Sequence, residues 1–404
     1  RQSTCPNPQS KLMNVALVYH NFAHYRSAIL MELWKKGRHR YTFVSDLTDH
    51  HNPSIKPWEL PRDLPHKRLH TRRFLKKLWW HSGVVSMARS KDFDALILLG
   101  NANWPAFWLA AIFGRLSGKR VYFWTHGWTH RDGRITGFIR KTFYSLAHGM
   151  MVYGHFGKML SIDRGLDPLR IHVIYNSLDY AEQIKTRASV TEADLIETRR
   201  SIFNDIDTPI AICSTRLTQQ RRLDILFEAV SRLRLRNQKI NVLLVGDGPE
   251  RANLEALAKQ LEINVHFFGA CYDETTLARL TMAANVTVAP GQVGLTAMQS
   301  LAYGTPVITH DDYLAQMPEF ESIVDGETGS LVKRDDVDSL THALELWTRS
   351  RFVDESVRNN CHAVIDRFWN PVIQRILIER ALEGEVADDL YNGRCAELNN
   401  VKWK

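Results

Sequence analysis

The chain has 404 residues, more than one hydrophobic core usually supports, so two domains of about 150 to 200 residues each are expected. With 44% hydrophobic and 24% charged residues it is neither disordered nor collagen-like. A formal net charge of +8 implies an acidic partner, whether nucleic acid, nucleotide phosphate or an anionic membrane.

The predicted elements begin with "NVALVY" (14–19), a buried strand, then a helix over about 23–36, a strand near 41–45 and a helix over 71–90. "ALILLG" (95–100), a helix from Pro105 to Leu116, "RVYFW" (120–124), a helix near 134–146 and "GMMVY" (149–153) follow, and "IHVIYNSLDY" (171–180) closes the series. Such alternation means βαβ units around a parallel sheet. Residues 95–114 carry no charge over a length that could cross a membrane, but Gly100, Asn101, Asn103 and Pro105 break the run, so it reads as strand, loop and helix.

A polar segment to about Thr208 reads as a connector with a helix, and a second alternating series then starts. Its strands are "PIAICST" (209–215), "INVLLVG" (240–246), "NVHFFG" (264–269), "NVTVAP" (285–290) and "TPVIT" (305–309), with helices at 219–235, 249–262, 274–283 and 294–303. Helical pattern dominates from about Val337 onward. The predicted division is 11–180 for the first Rossmann-like domain, 181–208 for the connector, 209–365 for the second, and 366–404 for C-terminal helices packing back on the first. Doubly wound sheets bind ligands at the carboxyl ends of their strands, and a cleft between domains is a preferred substrate site.

Several strand ends carry the chemistry expected there. "GQVGLTAMQSLAYGTPVI" (291–308) turns from a strand into a helix through glycines, which leaves backbone N–H groups free for phosphate; a tight turn with nothing bound has the same look. "STRLTQQRR" (214–222) places Arg216 and Arg221 just past the first strand of the same sheet, where their planar guanidinium groups suit a diphosphate. Elsewhere the same spacing would read as surface arginines. "LLVGDGPER" (243–251) has Arg251 where a dinucleotide fingerprint needs a third glycine, which argues against a nicotinamide or flavin cofactor.

In this order the segments resemble the retaining glycosyltransferases of family 4, also called group 1, over about residues 209–332 and only in architecture before that. The resemblance rests on Thr215-Arg216-Leu217 with Arg221-Arg222, on Gly246 to Pro249, on Phe267 to Gly269, on "QSLAYGTPVI" and on "MPEFESIVDGETGSLV" (317–332). It implies the GT-B fold, two facing α/β Rossmann-like domains around a deep interdomain cleft. It also implies that Arg216 and Arg221 grip the donor diphosphate while the N–H groups of Val293, Gly294 and Leu295 cap it, and that Gly246, Gly248, Phe268 and Gly269 lie near the nucleobase. The family's acidic pair, E-x7-E, falls on Gly291 and Gln299, so the sugar contact is expected to be lost or moved to a neighbour such as Gln292, while Gln299 still serves the ribose. An unusual donor sugar and a weakened enzyme both fit that change.

In the first half, "YFWTHGWTHRDG" (122–133) puts His126 at a strand end, where the family usually has a histidine that contacts the donor sugar; His130 has no such counterpart. "YHNFAHYRSAIL" (19–30) supplies His20, Tyr25 and Arg26 as acceptor candidates, with helix capping and packing as the alternative. Asp92 and Asp94, Asp205 and Asp207, and Asp336 and Asp338 match a D-x-D metal motif too short to single out a site, Asp336 fits a helix start, and no required metal is expected.

Residues 66–91 hold eight basic side chains and no acid. At 100° per residue Phe74, Leu75, Leu78 and Trp79 share one arc and Arg72, Arg73, Lys76, Lys77 and Trp80 the other, as in a helix lying on an anionic membrane, or as a solvated basic face over a core stripe. No nucleic-acid motif accompanies the charge. The five cysteines are odd in number and never form CxxC, which fits a reducing compartment; Cys213 and Cys271 read as inert core thiols. No basic-then-apolar leader is seen, and a cytoplasmic location, peripheral on the inner face of a membrane if the basic segment binds one, is expected.

Together these features predict a metal-independent enzyme without a cofactor that moves a sugar from a nucleotide diphosphate sugar to a glycan or lipid-linked acceptor, with retention, in surface polysaccharide or glycoconjugate biosynthesis. A nucleotide-sugar epimerase or hydrolase, and a non-catalytic nucleotide-sugar binding protein, are the rival readings.

Overall fold

A computed structural model describes residues 11–48, 58–75, 78–128 and 132–385. The chain separates into two compact units: one takes the described residues up to Ser177 and those from Pro371 onward, the other takes Leu178–Asn370.

In the first unit the elements are β1 (Asn14–Asn21), a 3-10 turn (His24–Arg26), α1 (Ser27–Lys36), β2 (Arg40–Asp46), β3 (His66–Arg68), β4 (Thr71–Leu75), β5 (Leu78–His81), α2 (Val84–Arg89), β6 (Ala95–Leu99), α3 (Pro105–Leu116), β7 (Arg120–Thr125), α4 (Arg134–Ser145), β8 (Gly149–Val152), α5 (His155–Asp163) and β9 (Ile171–Val173). Seven of the strands form one parallel sheet in the order β3-β2-β1-β6-β7-β8-β9. The uncharged run 95–114 divides into β6 and α3, with Pro105 in the helix's first turn. Among the described residues no helix is long and apolar enough to cross a membrane.

The second unit holds α6 (Tyr180–Ser189), α7 (Glu192–Phe203), β10 (Ile210–Ser214), α8 (Leu223–Leu235), β11 (Asn241–Val245), α9 (Arg251–Gln260), β12 (Val265–Gly269), α10 (Glu274–Ala283), β13 (Val286–Ala289), α11 (Leu295–Ala302), β14 (Val307–His310), β15 (Gly329–Val332), α12 (Val337–Trp347) and α13 (Glu355–Arg367). Its parallel sheet runs β12-β11-β10-β13-β14-β15. Counted within the unit this is 3-2-1-4-5-6, the Rossmann order. The central strands β10, β11 and β13 are mostly apolar and almost wholly buried because both of their faces are covered. Along β11, Val242 and Leu244 pack with Leu226 and Val230 of α8, while Leu243 and Val245 pack with Leu277 and Leu280 of α10.

The last helix among the described residues, α14 (Pro371–Glu383), belongs to the first unit: Glu379 accepts from the Arg38 N–H at 2.5 Å, and Tyr122 donates to the Ala381 carbonyl at 2.6 Å.

The helix expected over 71–90 is corrected. Its first part is an antiparallel ribbon, β4 paired with β5, and only Val84–Arg89 is helical. In the ribbon Arg73 lies opposite Trp79 and Arg72 opposite Trp80, and successive residues of a strand face opposite sides. The cationic and apolar arcs of a membrane-surface helix therefore do not exist here; each of these arginines is instead set against an aromatic residue. Trp79 stacks on Trp104 at 6.0 Å, and His81 Nε2 lies 3.1 Å from the Tyr19 carbonyl, contacts that draw the segment into β structure. Lys76, Lys77 and His130 lie outside the described residues.

Candidate functional site

Strand order reverses beside β10 in the second unit and beside β1 in the first, and an open sheet leaves a crevice at such points. Each unit has a cavity at that place.

In the second unit the cavity is about 310 Å³, with walls from the end of β10 (Cys213, Ser214, Thr215), from Arg221, and from the turn between β13 and α11. Arg221, Gly291, Gln292, Val293, Gly294 and Leu295, all expected at the donor, share this lining; Arg216 is exposed outside it, and Gln299 is half-buried within α11. Arg221 braces the turn, because its Nη1 donates to the Gln292 carbonyl at 2.7 Å while its own carbonyl accepts from the Gly291 N–H at 3.1 Å.

Gly291 is glycine for a steric reason. A Cβ there would lie 2.4 Å from the Gln220 carbonyl oxygen and 3.0 Å from the Arg221 Cα, both backbone atoms that no rotamer change can move. The position expected to have lost an acid is thus one where the chain's own backbone leaves no room for a side chain. Gln292 beside it is exposed.

Of the three N–H groups expected to cap a phosphate, one is occupied. Val293 donates to Gln316 Oε1 at 2.8 Å, and Gln316 Nε2 in turn donates to Thr309 Oγ1 and to the His310 carbonyl, both at 2.9 Å. The N–H groups of Gly294 and Leu295 have no hydrogen-bond partner among the described residues, as expected at a helix start. Sequence reading missed Gln316, whose partner lies 23 residues away; its only local sign is a polar side chain just before "MPEFES". Replacing Gln316 by leucine would strand a buried N–H and is expected to cost about 1–3 kcal/mol, read from urea unfolding.

Thr215 and Leu217, which flank Arg216, are clamped to the neighbouring loop: Thr215 N–H donates to the Val245 carbonyl at 2.9 Å and Leu217 N–H to the Asp247 carbonyl at 3.0 Å. Gly246 and Gly248 permit this approach, since a Cβ on either would fall within 2.2 Å of the Thr215 or Leu217 carbonyl oxygen. The glycines expected near the nucleobase therefore also fix the backbone that presents Arg216. Gly269 accepts from the Gly246 N–H at 2.7 Å, and the Phe268 ring beside it is partly exposed. Cys213 is buried, and burial pushes its thiol up to about 12, so it is inert at neutral pH; Cys271, beside β12, is only half-buried.

In the first unit the cavity is about 760 Å³, and it gathers His20, Tyr25, Arg26 and His126, which the sequence separates by up to 106 residues. They meet because β1 and β7 end on the same side of one parallel sheet. Arg26 donates from Nη2 to the Tyr153 hydroxyl at 2.5 Å, and its guanidinium lies 4.7 Å from the Tyr19 ring centre and 5.4 Å from that of Trp124. The His126 ring lies 4.9 Å from that of Tyr153. Enclosure by the cavity walls, and then the Arg26 charge, push the His126 imidazole down to about 4, so it is neutral at pH 7 although much of its surface opens into the cavity.

The D-x-D matches are engaged locally. Asp94 accepts from the Asn14 N–H at 2.8 Å, Asp205 from the Asp207 N–H at 2.8 Å, and Asp336 caps α12 through the Ser339 N–H at 3.0 Å. Among the described residues no group of three His, Cys, Asp or Glu is placed to hold a metal ion.

Burial also holds His172 down to about 4, Lys158 adding to the effect. Its unfolded form titrates near 6.5, so the unfolded state gains a proton before the native state does, and stability is full above pH 6.5 and falls as pH drops towards 4. A loss on the order of 1–2 kcal/mol from this residue by pH 5 is expected, and a His172→Gln variant should show a flatter dependence of urea midpoint on pH.

Residues 196–363 match the family model described as "Glycosyl transferases group 1". A GDP-mannose-dependent monoacylated alpha-(1-6)-phosphatidylinositol monomannoside mannosyltransferase of Corynebacterium glutamicum is 26% identical over 183 residues, 43% of this chain and 46% of that one. The lipopolysaccharide core biosynthesis glycosyltransferase LpsE of Rhizobium meliloti is 29% identical over 150 residues, 36% of this chain and 42% of that one. The chain thus spans less than half the length of these curated relatives. Anabaena Alr3699/HepE, solved in complex with UDP, superposes with a TM-score of 0.66 at 15% identity, covering 92% of this chain and 99% of that one. That likeness shows the fold, which is GT-B: two Rossmann-like α/β units in one chain.

Proposed function

We propose that this protein transfers a sugar from a nucleotide diphosphate sugar to a glycan or lipid-linked acceptor in polysaccharide or glycoconjugate biosynthesis. The observation that carries the reading is the cavity at the switch point of the second unit, inside the matched span 196–363, where Arg221 and the unpartnered N–H groups of Gly294 and Leu295 face one space. As the glycosidic bond breaks, negative charge builds on the departing diphosphate while the sugar becomes cation-like. Preorganised positive potential at that point stabilises the transition state more than the ground state.

Arg216 and Arg221 would grip the diphosphate in the manner of a metal-independent enzyme, and a departing phosphate oxygen would take the acceptor's proton, which gives retention of configuration without a separate base. Gln299 would serve the ribose and the exposed Gln292 the sugar, since Gly291 offers no side chain. Mannosyl and lipopolysaccharide-core transfer in the named relatives support a glycolipid or lipopolysaccharide acceptor. The cavity of the first unit, with His20, Tyr25 and Arg26, would hold that acceptor, and His126 would contact the donor sugar near the reacting carbon.

The test is to incubate the protein with UDP-, GDP- and dTDP-sugars, with and without lipid extract, and to follow nucleotide release and product. Release that depends on the extract and yields a glycosylated lipid supports transfer. Release without an acceptor indicates an epimerase or hydrolase, and binding without turnover a non-catalytic protein.

A further inference from the structure

Among the described residues, the cavity of the first unit holds a cation with no counter-charge. Its lining, among those described residues, contains no aspartate or glutamate. Arg26 takes part in no ion pair among the described residues; its contacts are the Tyr153 hydroxyl and the faces of Tyr19, Trp124, Tyr153 and Tyr25, at 4.7, 5.4, 5.6 and 5.9 Å. Burial raises the Tyr19 and Tyr153 phenols, against the pull of Arg26, so they are neutral at pH 7 and supply π density and an acceptor but no charge.

Other enclosed arginines among the described residues either meet a carboxylate or give several donors to amide oxygens, as Arg199 does to the Ala283 and Ile206 carbonyls and to Asn285 Oδ1 at 2.9, 3.2 and 2.9 Å. Arg375 meets Glu379 at 2.7 Å and Glu32 at 3.3 Å, Arg187 meets Asp366 at 3.0 Å, and Arg140, in the same cavity wall, meets Asp132 at 3.2 Å. An enclosed charge without a partner is costly, whereas a guanidinium has five N–H donors in a planar fork that matches an oxyanion. The polar partners of Arg26 among the described residues are neutral phenols, Tyr153 at 2.5 Å and Tyr19, and neither supplies a counter-charge.

We infer that the substrate held by the first unit carries an oxyanion, a phosphate or a carboxylate, and that Arg26 is the residue that binds it. The inference rests on the acceptor role proposed for this cavity and names the chemical class of the acceptor: an acidic sugar or a phosphate-bearing headgroup, not a neutral glycan. His20, Tyr25 and Asn101 line the same space and give the ligand further polar partners. Neutral His126 leaves Arg26 as the dominant charge to be matched.

The experiment is calorimetric titration of the full chain with inorganic phosphate, methyl glucuronide and neutral methyl glucoside, each also against Arg26→Lys and Arg26→Gln, with nucleoside diphosphate binding measured in parallel. Phosphate or glucuronide, whichever source matches, is expected to bind the wild type at least tenfold more tightly than the neutral glycoside. Arg26→Gln should lose that preference, and Arg26→Lys should keep part of it. Arg26→Gln loses the Tyr153 hydrogen bond and the ring contacts but breaks no ion pair among the described residues, so it should melt only slightly below the wild type; a large fall in melting temperature would mean a structural cation and overturn the inference. Equal binding of charged and neutral ligands, or an unchanged preference in Arg26→Gln, would overturn it too. Intact nucleoside diphosphate binding together with absent oxyanion binding refutes this inference alone, whereas absent nucleotide binding strikes the proposed function.

Discussion

Replacing Arg221 by alanine is expected to lower kcat/KM for the sugar nucleotide by roughly two to three orders of magnitude, the range seen when one preorganised donor to a developing negative charge is removed. The residue does two things in the cavity of the second unit. Its charge faces the space where the diphosphate is proposed to sit, and its Nη1 holds the Gln292 carbonyl at 2.7 Å, which keeps the turn before α11 in place. Arg221→Lys separates these roles: it retains the charge and loses the fork, so it should recover part of the activity but not all. Steady-state kinetics with a fixed acceptor, alongside thermal melting to confirm folding, check both variants. Full activity in Arg221→Ala would remove the residue from the donor site.

Restoring a side chain at position 291 is expected to damage the protein instead of improving it. Gly291→Ala already places a methyl 2.4 Å from the Gln220 carbonyl oxygen, and Gly291→Glu places a longer chain through the same point. The backbone of 220–221 must move away, at a cost of about 1–3 kcal/mol by analogy with overpacked cores. Arg221 moves with it, because the Gly291 N–H is bonded to the Arg221 carbonyl at 3.1 Å, so donor affinity should fall as well. Gly294→Ala is the control within the same turn, since its methyl would reach only the Met317 side chain at 3.8 Å. The check is a urea unfolding midpoint and a sugar-nucleotide KM for each variant. If Gly291→Glu were as stable as the wild type and bound the donor better, the steric account of this position would be wrong.

The alternation of strands and helices was legible because parallel strands covered on both faces appear as uninterrupted apolar runs such as "ALILLG" and "INVLLVG". The ends of those runs gave the site for the same reason: a turn of glycine and arginine after a buried strand has one direction in which to point. The ribbon at 71–81 was illegible because Phe74, Leu75, Leu78 and Trp79 satisfy a helical period as well as they fit two short strands. What decides it is contact with distant residues, Trp104 for Trp79 and Tyr19 for His81. The occupied Val293 N–H was hidden likewise, since Gln316 lies beyond β14 and no spacing rule links the two positions. Arg26 and His126 were each visible as residues after a strand, but that they share one cavity, with no acid among the described residues of its lining, is a property of the sheet order, which no short stretch of sequence contains.

The most direct test of the central claim, that the cavity of the second unit holds the diphosphate of a sugar nucleotide, is calorimetric titration with UDP, GDP and dTDP of the wild type and of Arg221→Ala. The account predicts that at least one nucleoside diphosphate binds the wild type, and that its affinity falls at least tenfold in the variant, while the matching nucleoside, which lacks phosphate, binds both proteins equally. Failure of all three to bind, or binding that Arg221→Ala leaves unchanged, would contradict it.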